Sequence, residues 1–469
     1  MSTPELSPGR SNETDAGEVR LPPGPKGRWL PTLRLIRQPR SALERWRKIY
    51  GDPFLVHALN GPVVVTGRAD LIREIHGQDP SLYAVFATET VKPLLGAGSM
   101  LAIDGEPHRR ERRLTTPMFH GERMKAYGQT MQAVAREQLE AHVALGRGKV
   151  DTLELMTDIS LEVIVRTVFG GDDQGLVIRL MDASRAMVAG SSPLLFFSRA
   201  THFRMFGLGP WDRWLAAKRR LVELLDRVVE TRRASADPHD DILSMLLAAR
   251  YEDGSPITRE HLYAELLTFL FAGHETTSIA LTWAIDHLHR APAALAKLRA
   301  ELDTLADGSP ATLSAASYLK AVVQETLRVH PIVTETLRKL KRPMRLGEYS
   351  LPAGYAVAPA TVLAHYNPET YPEPDVFRPE RFLERSYGPF EYMPFGGGHR
   401  RCIGAAFASY EMAMVLGTLL RCYDFELLDP RPALPRRRNV TMGPSTGVPV
   451  RIQPRPSATA ARKGDGGNF

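Results

Sequence analysis

The stretch of residues 395–404, Phe-Gly-Gly-Gly-His-Arg-Arg-Cys-Ile-Gly, constrains this chain more than any other. Its three consecutive glycines permit backbone conformations with positive φ and let the chain approach another group closely. The spacing of apolar residues after Cys402 predicts a buried helix. At the N-terminus of such a helix, the dipole and the unpaired backbone N–H groups favour a thiolate. The stretch therefore predicts a loop that presents one thiolate to a large planar ligand, although an isolated cysteine is more commonly a core residue.

This stretch resembles the haem-binding signature of the cytochrome P-450 monooxygenases, Phe-x-x-Gly-x-Arg-x-Cys-x-Gly. Its five fixed positions are filled by Phe395, Gly398, Arg400, Cys402 and Gly404. The resemblance implies that Cys402 is the axial ligand of the iron of haem b (iron protoporphyrin IX). It also implies that Phe395 covers the ring near the sulfur, that Gly398 keeps the loop tight and that Arg400 pairs with a haem propionate. A thiolate ligand donates electron density to the iron and favours O–O cleavage.

The chain has 469 residues, of which 43% are hydrophobic, and can bury a large core. Length alone suggests two or three domains. Because motifs far apart in the sequence must reach one cofactor, we expect a single catalytic domain, residues 21–454. We expect disordered segments at 1–20 and 455–469. The resemblance implies the family's fold, mainly α with small β-sheets, as a single domain with a small β-rich lobe.

Charge, cysteine content and the N-terminus restrict the cellular setting. The net charge of +7 is compatible with nucleic acid, anionic lipid or an acidic protein as partner. Cys402 and Cys422, if one helix joins them, lie on the order of 25 Å apart and cannot form a disulfide. Residues 1–19 are polar and lack the apolar run of a signal peptide or membrane anchor. We therefore expect a soluble, cytoplasmic protein with no membrane anchor.

A basic stretch, residues 105–113, contains a second candidate for cofactor binding. His108 and Arg112 are four residues apart, so they share one face of a helix. In the family, a His or Trp four residues before an Arg at this point of the chain binds a haem propionate. Buried propionates need cationic partners, and the resemblance implies this role for both residues, with Arg338 as a third candidate. A solvated basic helix face is the alternative.

Residues 260–290 predict one long, mostly apolar helix. Its middle, residues 272–277, reads Ala-Gly-His-Glu-Thr-Thr. Glycine and threonine are locally unfavourable inside a buried helix, and threonine hydroxyls can bond backbone carbonyls and open a turn. This segment resembles the family's oxygen-activation motif, Ala/Gly-Gly-x-Asp/Glu-Thr-Thr.

The resemblance assigns roles to four residues of that motif. Thr276 would hydrogen-bond dioxygen, and Glu275 would help to relay protons. Ala272 and Gly273 would leave space over the iron. His274 is expected to be structural, and a strained kink without chemical importance is the alternative for the whole motif.

Glu325 and Arg328 share a face of a predicted helix, residues 318–329. Such pairs are often exposed and contribute little. Their context resembles the family's Glu-x-x-Arg motif, and Arg381 lies in a segment that matches the family's Pro-Glu-Arg-Phe element. The bidentate geometry of arginine suits a buried Glu–Arg–Arg cluster. The implied role of the cluster is structural, to hold the loop that carries Cys402.

Several other segments carry expectations about local structure. An Asn-Gly pair predicts a hairpin of strands 54–57 and 62–66. Residues 80–100 are expected to form a loop over the haem, and residues 131–169 to be helical. The aromatic segment 191–209, with Phe196 and Phe197, falls where the family carries its substrate-access lid. Residues 439–450 predict a final hairpin with Gly443-Pro444 as the breaker.

The implied function is haem-thiolate monooxygenation, in which one atom of O2 enters an apolar organic substrate by hydroxylation or epoxidation. A fatty acid or a terpenoid is the favoured substrate class. Electrons come from a separate donor, expected to be an acidic ferredoxin or flavodoxin with its NAD(P)H reductase. We expect it to dock near Cys402 on Arg109, Arg110, Arg113 and Arg401, because complementary charge accelerates association.

The protein is expected to act as a monomer. It is not expected to bind nucleic acid, because its arginines gather beside the cysteine loop without interleaved aromatic residues. Two other functions are also compatible with the sequence. One is a peroxygenase that uses hydrogen peroxide, although such enzymes typically lose the acid–threonine pair that Glu275 and Thr276 form here. The other is a non-catalytic haem sensor or carrier, although no appended domain is evident.

Overall fold

The computed structural model describes residues 19–86, 88–146, 148–190, 195, 201–235 and 239–455. The helices are α1 Trp29–Arg37, α2 Pro39–Tyr50, α3 Ala69–Gly77, α4 Thr88–Leu95, α5 Gly105–Thr115, α6 Arg123–Gly146, α7 Thr152–Phe169, α8 Gln174–Ala189, α9 Pro210–Ala234, α10 Ile242–Ala248, α11 Arg259–Arg290, α12 Pro292–Thr304, α13 Pro310–Ala315, α14 Ser317–Val329, α15 Thr361–His365, α16 Arg381–Glu384 and α17 Ala405–Cys422. The strands are β1 Phe54–Ala58, β2 Gly61–Thr66, β3 Tyr83–Val85, β4 Lys149–Asp151, β5 Arg338–Leu340, β6 Met344–Leu346, β7 Tyr349–Leu351, β8 Ala356–Pro359, β9 Tyr423–Leu427, β10 Pro435–Arg438, β11 Thr441–Pro444 and β12 Pro449–Pro454. Short 3₁₀ turns occupy Pro80–Leu82, Thr116–Phe119 and Gly398–Arg400.

Helix α11 lies at the centre of the helical core. It begins at the capping residue Thr258, whose side chain accepts a hydrogen bond from the backbone N–H of His261. Apolar residues on nearly all of its faces are buried, as expected for a helix enclosed by others. Helix α7 packs along it, and α4, α14, α17 and strand β11 also contact it.

Helix α2 and a mixed five-stranded sheet form the β-rich lobe. The strand order is β1-β2-β8-β5-β3, with β2 and β8 parallel and the other pairs antiparallel. Trp46 of α2 and Phe54 of β1 are buried in the core that joins the helix to the sheet. Strands β4, β12 and β9 form a second sheet, and β6–β7 and β10–β11 are separate hairpins. The described chain is therefore mainly helical with small sheets, which confirms the fold class that the family resemblance implies.

Three local expectations need correction. Residues 80–100 are not a plain loop, since they contain β3 and α4. The helix expected over 131–169 is broken, because Gly148 adopts φ +82° and Asp151 caps the next helix. The final hairpin turns at Asn439, which adopts φ +47° as asparagine can, whereas Gly443 and Pro444 lie within β11.

Several expectations concern residues outside the described ranges. They include residues 1–18, the tail 456–469, and Phe196 and Phe197 of the expected access lid. None of the described helices combines the length and the apolar character needed to cross a bilayer.

Candidate active site

The loop before α17 is closed by its own backbone. The N–H of Cys402 donates to the carbonyl of Phe395 at 2.9 Å, and the N–H of Arg401 donates to the carbonyl of Gly398 at 3.1 Å. Gly396 and Gly398 adopt φ values of +67° and +63°, which other residues rarely adopt. The glycines are therefore required by the tight path that brings the chain back to the cysteine.

The thiol of Cys402 is exposed to solvent, although protein surrounds it on most sides. A side chain that is exposed to solvent and yet surrounded by protein is typical of a residue that lines a cleft. Burial raises the pKa of the Cys402 thiol, and it outweighs the opposing effects of the Gly404 N–H, Arg112 and Arg401. Without a bound cation, burial therefore favours the thiol form of Cys402 over the thiolate expected from the sequence. A coordinated metal cation removes the proton from such a thiol.

Three arginines gather beside this loop without a carboxylate within ion-pair distance among the described residues: Arg112, Arg338 and Arg400. Arg338 is buried and donates to the carbonyl of Gly397 at 2.8 Å. Arg400 donates to the carbonyl of Met100 at 2.9 Å and also to that of Ile103. Its guanidinium group therefore also ties residues 96–104 to the loop.

Two histidines, His108 and His399, lie among these arginines, and both are uncharged near neutral pH. Burial, and then the charges of Arg400 and Arg112, lower the pKa of His108 to about 3. Burial and the neighbouring arginines also lower the pKa of His399 to about 4. Burial likewise lowers the pKa of Arg400 to about 10. Arginines that lie close together without a carboxylate are satisfied by an anion, so Arg112, Arg338 and Arg400 fit the propionates of a haem. His108 could donate a hydrogen bond to the same groups, and Cys402 would bind the iron.

The 272–277 motif lies in the middle of α11, which runs through it without interruption. The hydroxyl of Thr276 donates to the carbonyl of Ala272 at 2.9 Å, and that of Thr277 donates to the carbonyl of Gly273 at 3.3 Å. The open turn expected from the sequence is therefore absent from this helix. A Cβ on Gly273 would lie 3.0 Å from the side chain of Ile164, so this glycine permits the close packing of α7 on α11.

Glu325, Arg328 and Arg381 come together in a buried cluster. Arg328 forms two hydrogen bonds with the Glu325 carboxylate, at 2.7 and 2.9 Å, and Arg381 adds a third at 3.0 Å. All three side chains are at most 1% exposed. Burial opposes the charge on Arg328, but the hydrogen bonds and the charge of Glu325 outweigh it, so the pKa of Arg328 lies above its ordinary value.

Comparisons with known proteins agree with this geometry. The cytochrome P-450 family model matches residues 22–448. The chain belongs to the cytochrome P-450 family. Cytochrome P-450 135B1 of Mycobacterium tuberculosis is 33% identical over 454 residues, which cover 92% of this chain and 91% of that protein. Cytochrome P-450 138 of the same organism is 33% identical over 441 residues, which cover 92% and 95%.

A solved structure shows the same fold. The retinoic acid bound cyanobacterial CYP120A1 superposes with a TM-score of 0.82 at 24% identity, over 93% of this chain and all of that one. As a member of this family, the protein is an oxidoreductase, a haem monooxygenase of the cytochrome P-450 type. Its cofactor is haem b, bound as a haem-thiolate.

Sequence reasoning missed His365, which connects the buried cluster to the cysteine loop. Its Nδ1 lies 3.2 Å from the carbonyl oxygen of Arg328, and its Nε2 accepts the N–H of Met393 at 2.9 Å. The carbonyl of Met393 in turn accepts the N–H of Gly396 at 3.0 Å. No short motif marks His365, because its partners lie 37 and 28 residues away.

Sequence reasoning also missed the partners of Glu275. The side chains of Asn439 and Thr441 lie close to its carboxyl group and, together with the charge of Arg438, favour its ionised form. Burial is the largest influence and raises the pKa of Glu275 despite these three residues. The acid of the motif is therefore oriented by the tip of the β10–β11 hairpin, more than 150 residues further along the chain.

Proposed function

We propose that the protein inserts one atom of O2 into an apolar organic substrate, by hydroxylation or epoxidation, with a fatty acid or a terpenoid as the favoured class. One observation carries the proposal. The hydroxyl of Thr276 donates a hydrogen bond to the carbonyl of Ala272 within α11, and the carboxyl group of Glu275 belongs to the adjacent residue of the helix. Buried apolar residues near α11 support an apolar substrate. Leu94 of α4 and Met442 of β11 belong to elements that contact α11, and Ile332 is hydrogen-bonded to Met442 through the backbone. The retinoic acid held by CYP120A1 is also a largely apolar molecule.

In this proposal Cys402 is the axial ligand, and His108, Arg112, Arg338 and Arg400 hold the propionates. Phe395 covers the ring near the sulfur, while Gly398 and Gly404 shape the loop. Ala272 leaves room above the iron, and Gly273 contributes through the packing of α7 on α11. The bound haem supplies oxygen activation, which its thiolate ligand promotes. Thr276 would hydrogen-bond dioxygen at this site, and Glu275 would help to relay protons to it.

The assignment of Cys402 is tested by the carbon monoxide complex of the reduced protein. The parent protein is expected to show the red-shifted Soret band of thiolate ligation. Cys402→Ser should lose this band, and Cys422→Ser, at the far end of α17, should retain it. A red-shifted band in the Cys402→Ser protein would refute the assignment.

Turnover tests the reaction class and the substrate. Product should form with O2, ferredoxin, its reductase and NAD(P)H, and little should form with hydrogen peroxide alone. A screen of fatty acids and terpenoids for ligand-induced spin shifts identifies the substrate class. Equal activity with peroxide alone would favour a peroxygenase, and no turnover under either condition would favour a haem carrier.

We further propose an acidic ferredoxin or flavodoxin as the electron donor. A hollow of about 460 Å³ opens beside the cysteine loop and is lined by, among others, Arg109, Arg112 and Arg113. Arg401, next to the cysteine, is exposed. Arg109, Arg110 and Arg113 each pair with an exposed carboxylate, of Glu106, Asp253 and Glu252, at 2.8 to 2.9 Å. Exposed pairs of this kind are weak, so the carboxylates of a partner can replace these.

A further inference from the structure

Helix α1 presents an apolar stripe away from the protein. Trp29, Leu33 and Ile36 are spaced three and four residues apart, so they form one stripe along the helix. Trp29 is 76% exposed, Leu30 56% and Leu33 43%. Pro31 is buried on the inner side of the helix. A surface helix normally buries its apolar stripe, whereas this stripe of α1 is exposed together with Arg34 and Arg37.

Trp29 differs from every other tryptophan of the chain. The remaining four, Trp46, Trp211, Trp214 and Trp283, are 2%, 8%, 2% and 1% exposed. A large aromatic side chain in water forgoes the stabilisation that its burial provides. The exposure of Trp29 therefore indicates a surface that is covered when the protein functions.

The same surface is strongly basic. Between Glu18 and Glu44 the sequence contains no acidic residue. Its exposed cations are Lys26, Arg28, Arg34 and Arg37, and none of the four has a carboxylate within ion-pair distance in the described part of the chain. Cations with no internal partner are available to an anionic one.

A neighbouring turn extends the surface. Leu59, between β1 and β2, is 46% exposed, and its N–H donates to the hydroxyl of Thr32 on α1 at 3.2 Å. We call this surface the α1 patch. It consists of the four cations named above and the apolar residues Trp29, Leu30, Leu33, Ile36 and Leu59. The β10–β11 hairpin also touches α1, because Arg437 donates to the carbonyl of Leu35 at 3.3 Å.

We propose that the α1 patch docks on the surface of an anionic lipid bilayer. Its apolar stripe would enter the boundary between headgroups and acyl chains, and its cations would contact lipid phosphates. An exposed apolar stripe with tryptophan and flanking arginines is the pattern of helices that lie in this interface. A protein partner would have to supply carboxylates to match these cations, and the experiments below distinguish it from a bilayer.

This placement has a consequence for the reaction. The hairpin that touches α1 also orients Glu275 on α11. An apolar substrate dissolved in the bilayer would then reach the protein on the side where that hairpin meets α1. This consequence rests on the proposed function, but the docking itself does not.

The tryptophan emission of the full-length holoprotein tests the docking. Vesicles of phosphatidylglycerol and phosphatidylcholine should shift the emission to shorter wavelength, and pure phosphatidylcholine vesicles should not. Because the other four tryptophans are buried, the shift should vanish in Trp29→Phe. Sedimentation with the vesicles should give the same order, and binding should weaken as salt is added.

Paired variants separate the apolar and the charged contributions. Leu30→Ser/Leu33→Ser should abolish co-sedimentation. Arg34→Gln/Arg37→Gln should weaken it by roughly fivefold for each cation removed. The matched controls are Leu145→Ser, an exposed leucine of α6, and Arg136→Gln/Lys149→Gln on α6 and β4. The carbon monoxide spectrum of every variant should match the parent, since none of these residues lies in the candidate active site.

Four outcomes would overturn the docking proposal. The first is the absence of binding to the anionic vesicles, and the second is equal binding to both kinds of vesicle. The third is a dimer in lipid-free solution that Leu30→Ser/Leu33→Ser disrupts, which would assign the patch to a second copy of the chain. The fourth is a shift of the lipid-free emission to longer wavelength when residues 1–18 are deleted, which would assign the patch to that acidic segment.

Discussion

The hydroxyl of Thr276 donates to the carbonyl of Ala272 and can reorient toward a ligand above the haem. Thr276→Ala removes this hydroxyl without burying an unpaired donor. We expect reducing equivalents to be consumed at a similar rate while the yield of product per NAD(P)H falls about tenfold or more and peroxide rises. The neighbouring Thr277→Ala, which loses only a back-bond to Gly273, is the control. An unchanged product-to-NAD(P)H ratio in Thr276→Ala would contradict the assignment.

The carboxyl group of Glu275 lies close to Asn439 and Thr441, both of which favour its ionised form. Glu275→Gln should slow turnover by roughly 10² and leave the melting temperature within a few degrees of the parent value. Asn439→Ala should slow turnover less and raise the solvent isotope effect, because the acid is still present but poorly oriented.

The pH profile separates orientation from a loss of structure. Burial raises the pKa of Glu275, and loss of the Asn439 hydrogen bond should move the upper limb of the turnover profile to higher pH. Val440→Ala, at the same turn, should leave the profile and the isotope effect unchanged. Identical profiles for the parent and Asn439→Ala proteins would remove Asn439 from the proton path.

At the scale of elements, the Glu325 cluster joins α14 to the segment that leads into the cysteine loop. Besides Glu325, Arg328 bonds the carbonyls of His365 and Pro374, at 3.0 and 2.9 Å. Through Nε2, His365 then holds Met393. The cluster thus fixes the backbone from which the cysteine loop starts, so its loss should be felt at the haem.

Glu325→Ala should lower haem incorporation as well as stability, by about 3–5 kcal/mol, because it leaves two buried arginines without their carboxylate. His365→Leu should cost about 1–3 kcal/mol, since it leaves a buried N–H and a buried carbonyl unpaired. Haem content by pyridine haemochrome and thermal unfolding measure both effects. Glu384→Ala, from the exposed pair with Arg378, is the control and should change stability by less than about 0.5 kcal/mol. Normal haem content in Glu325→Ala would contradict a role in holding the loop.

At the scale of the whole molecule, the two proposed surfaces carry positive charge for different partners. The donor surface near Cys402 is tested by Arg109→Glu/Arg113→Glu. First-electron reduction by an acidic donor should slow, and most at low ionic strength, where attraction is least screened. Arg34→Gln/Arg37→Gln on the α1 patch should leave this rate unchanged. Equal reduction rates of Arg109→Glu/Arg113→Glu and the parent across the salt range would exclude this docking site.

Buried carboxyl groups make the stability of the fold depend on pH. Glu411 on α17 is fully buried, and its oxygens accept no hydrogen bond of ordinary geometry among the described residues, although Ser160 is close enough to attract it. Burial raises its pKa from 4.5 to about 8, and burial likewise raises that of Glu265 to about 8. The folded state therefore keeps protons that the unfolded chain releases, so stability is greatest below about pH 4.5 for these groups and is lost as the pH rises towards 8.

Glu411→Gln removes one of the two groups. We expect its melting temperature to fall less steeply between pH 5 and pH 8, and its stability at pH 8 to exceed that of the parent by on the order of a few kcal/mol. Glu384→Gln, an exposed carboxylate on α16, should follow the parent. Parallel curves for Glu411→Gln and the parent would show that Glu411 does not hold its proton in the folded state.

The parts of the site that could be predicted from the sequence are short motifs. The glycines before Cys402, the threonines of α11 and the Glu325–Arg328 pair act within a few residues of one another. Their spacing alone therefore specifies a turn, a helix face or a ligand, and resemblance to the family supplied the cofactor. Several helices could be predicted because apolar periodicity is also local, whereas the fold class came from the resemblance to the family.

The tertiary structure alone decided which distant groups meet. His365 and Asn439 act on partners that lie far away in the sequence, and Gly273 proved to be a site of helix packing through Ile164 of α7. The upward shift of the Cys402 pKa also depended on the fold, because every element packed around the thiol contributes to its desolvation. The outward stripe of α1 was decided in the same way: its periodicity marks one apolar face, but only packing determines whether that face turns towards the core or away from it.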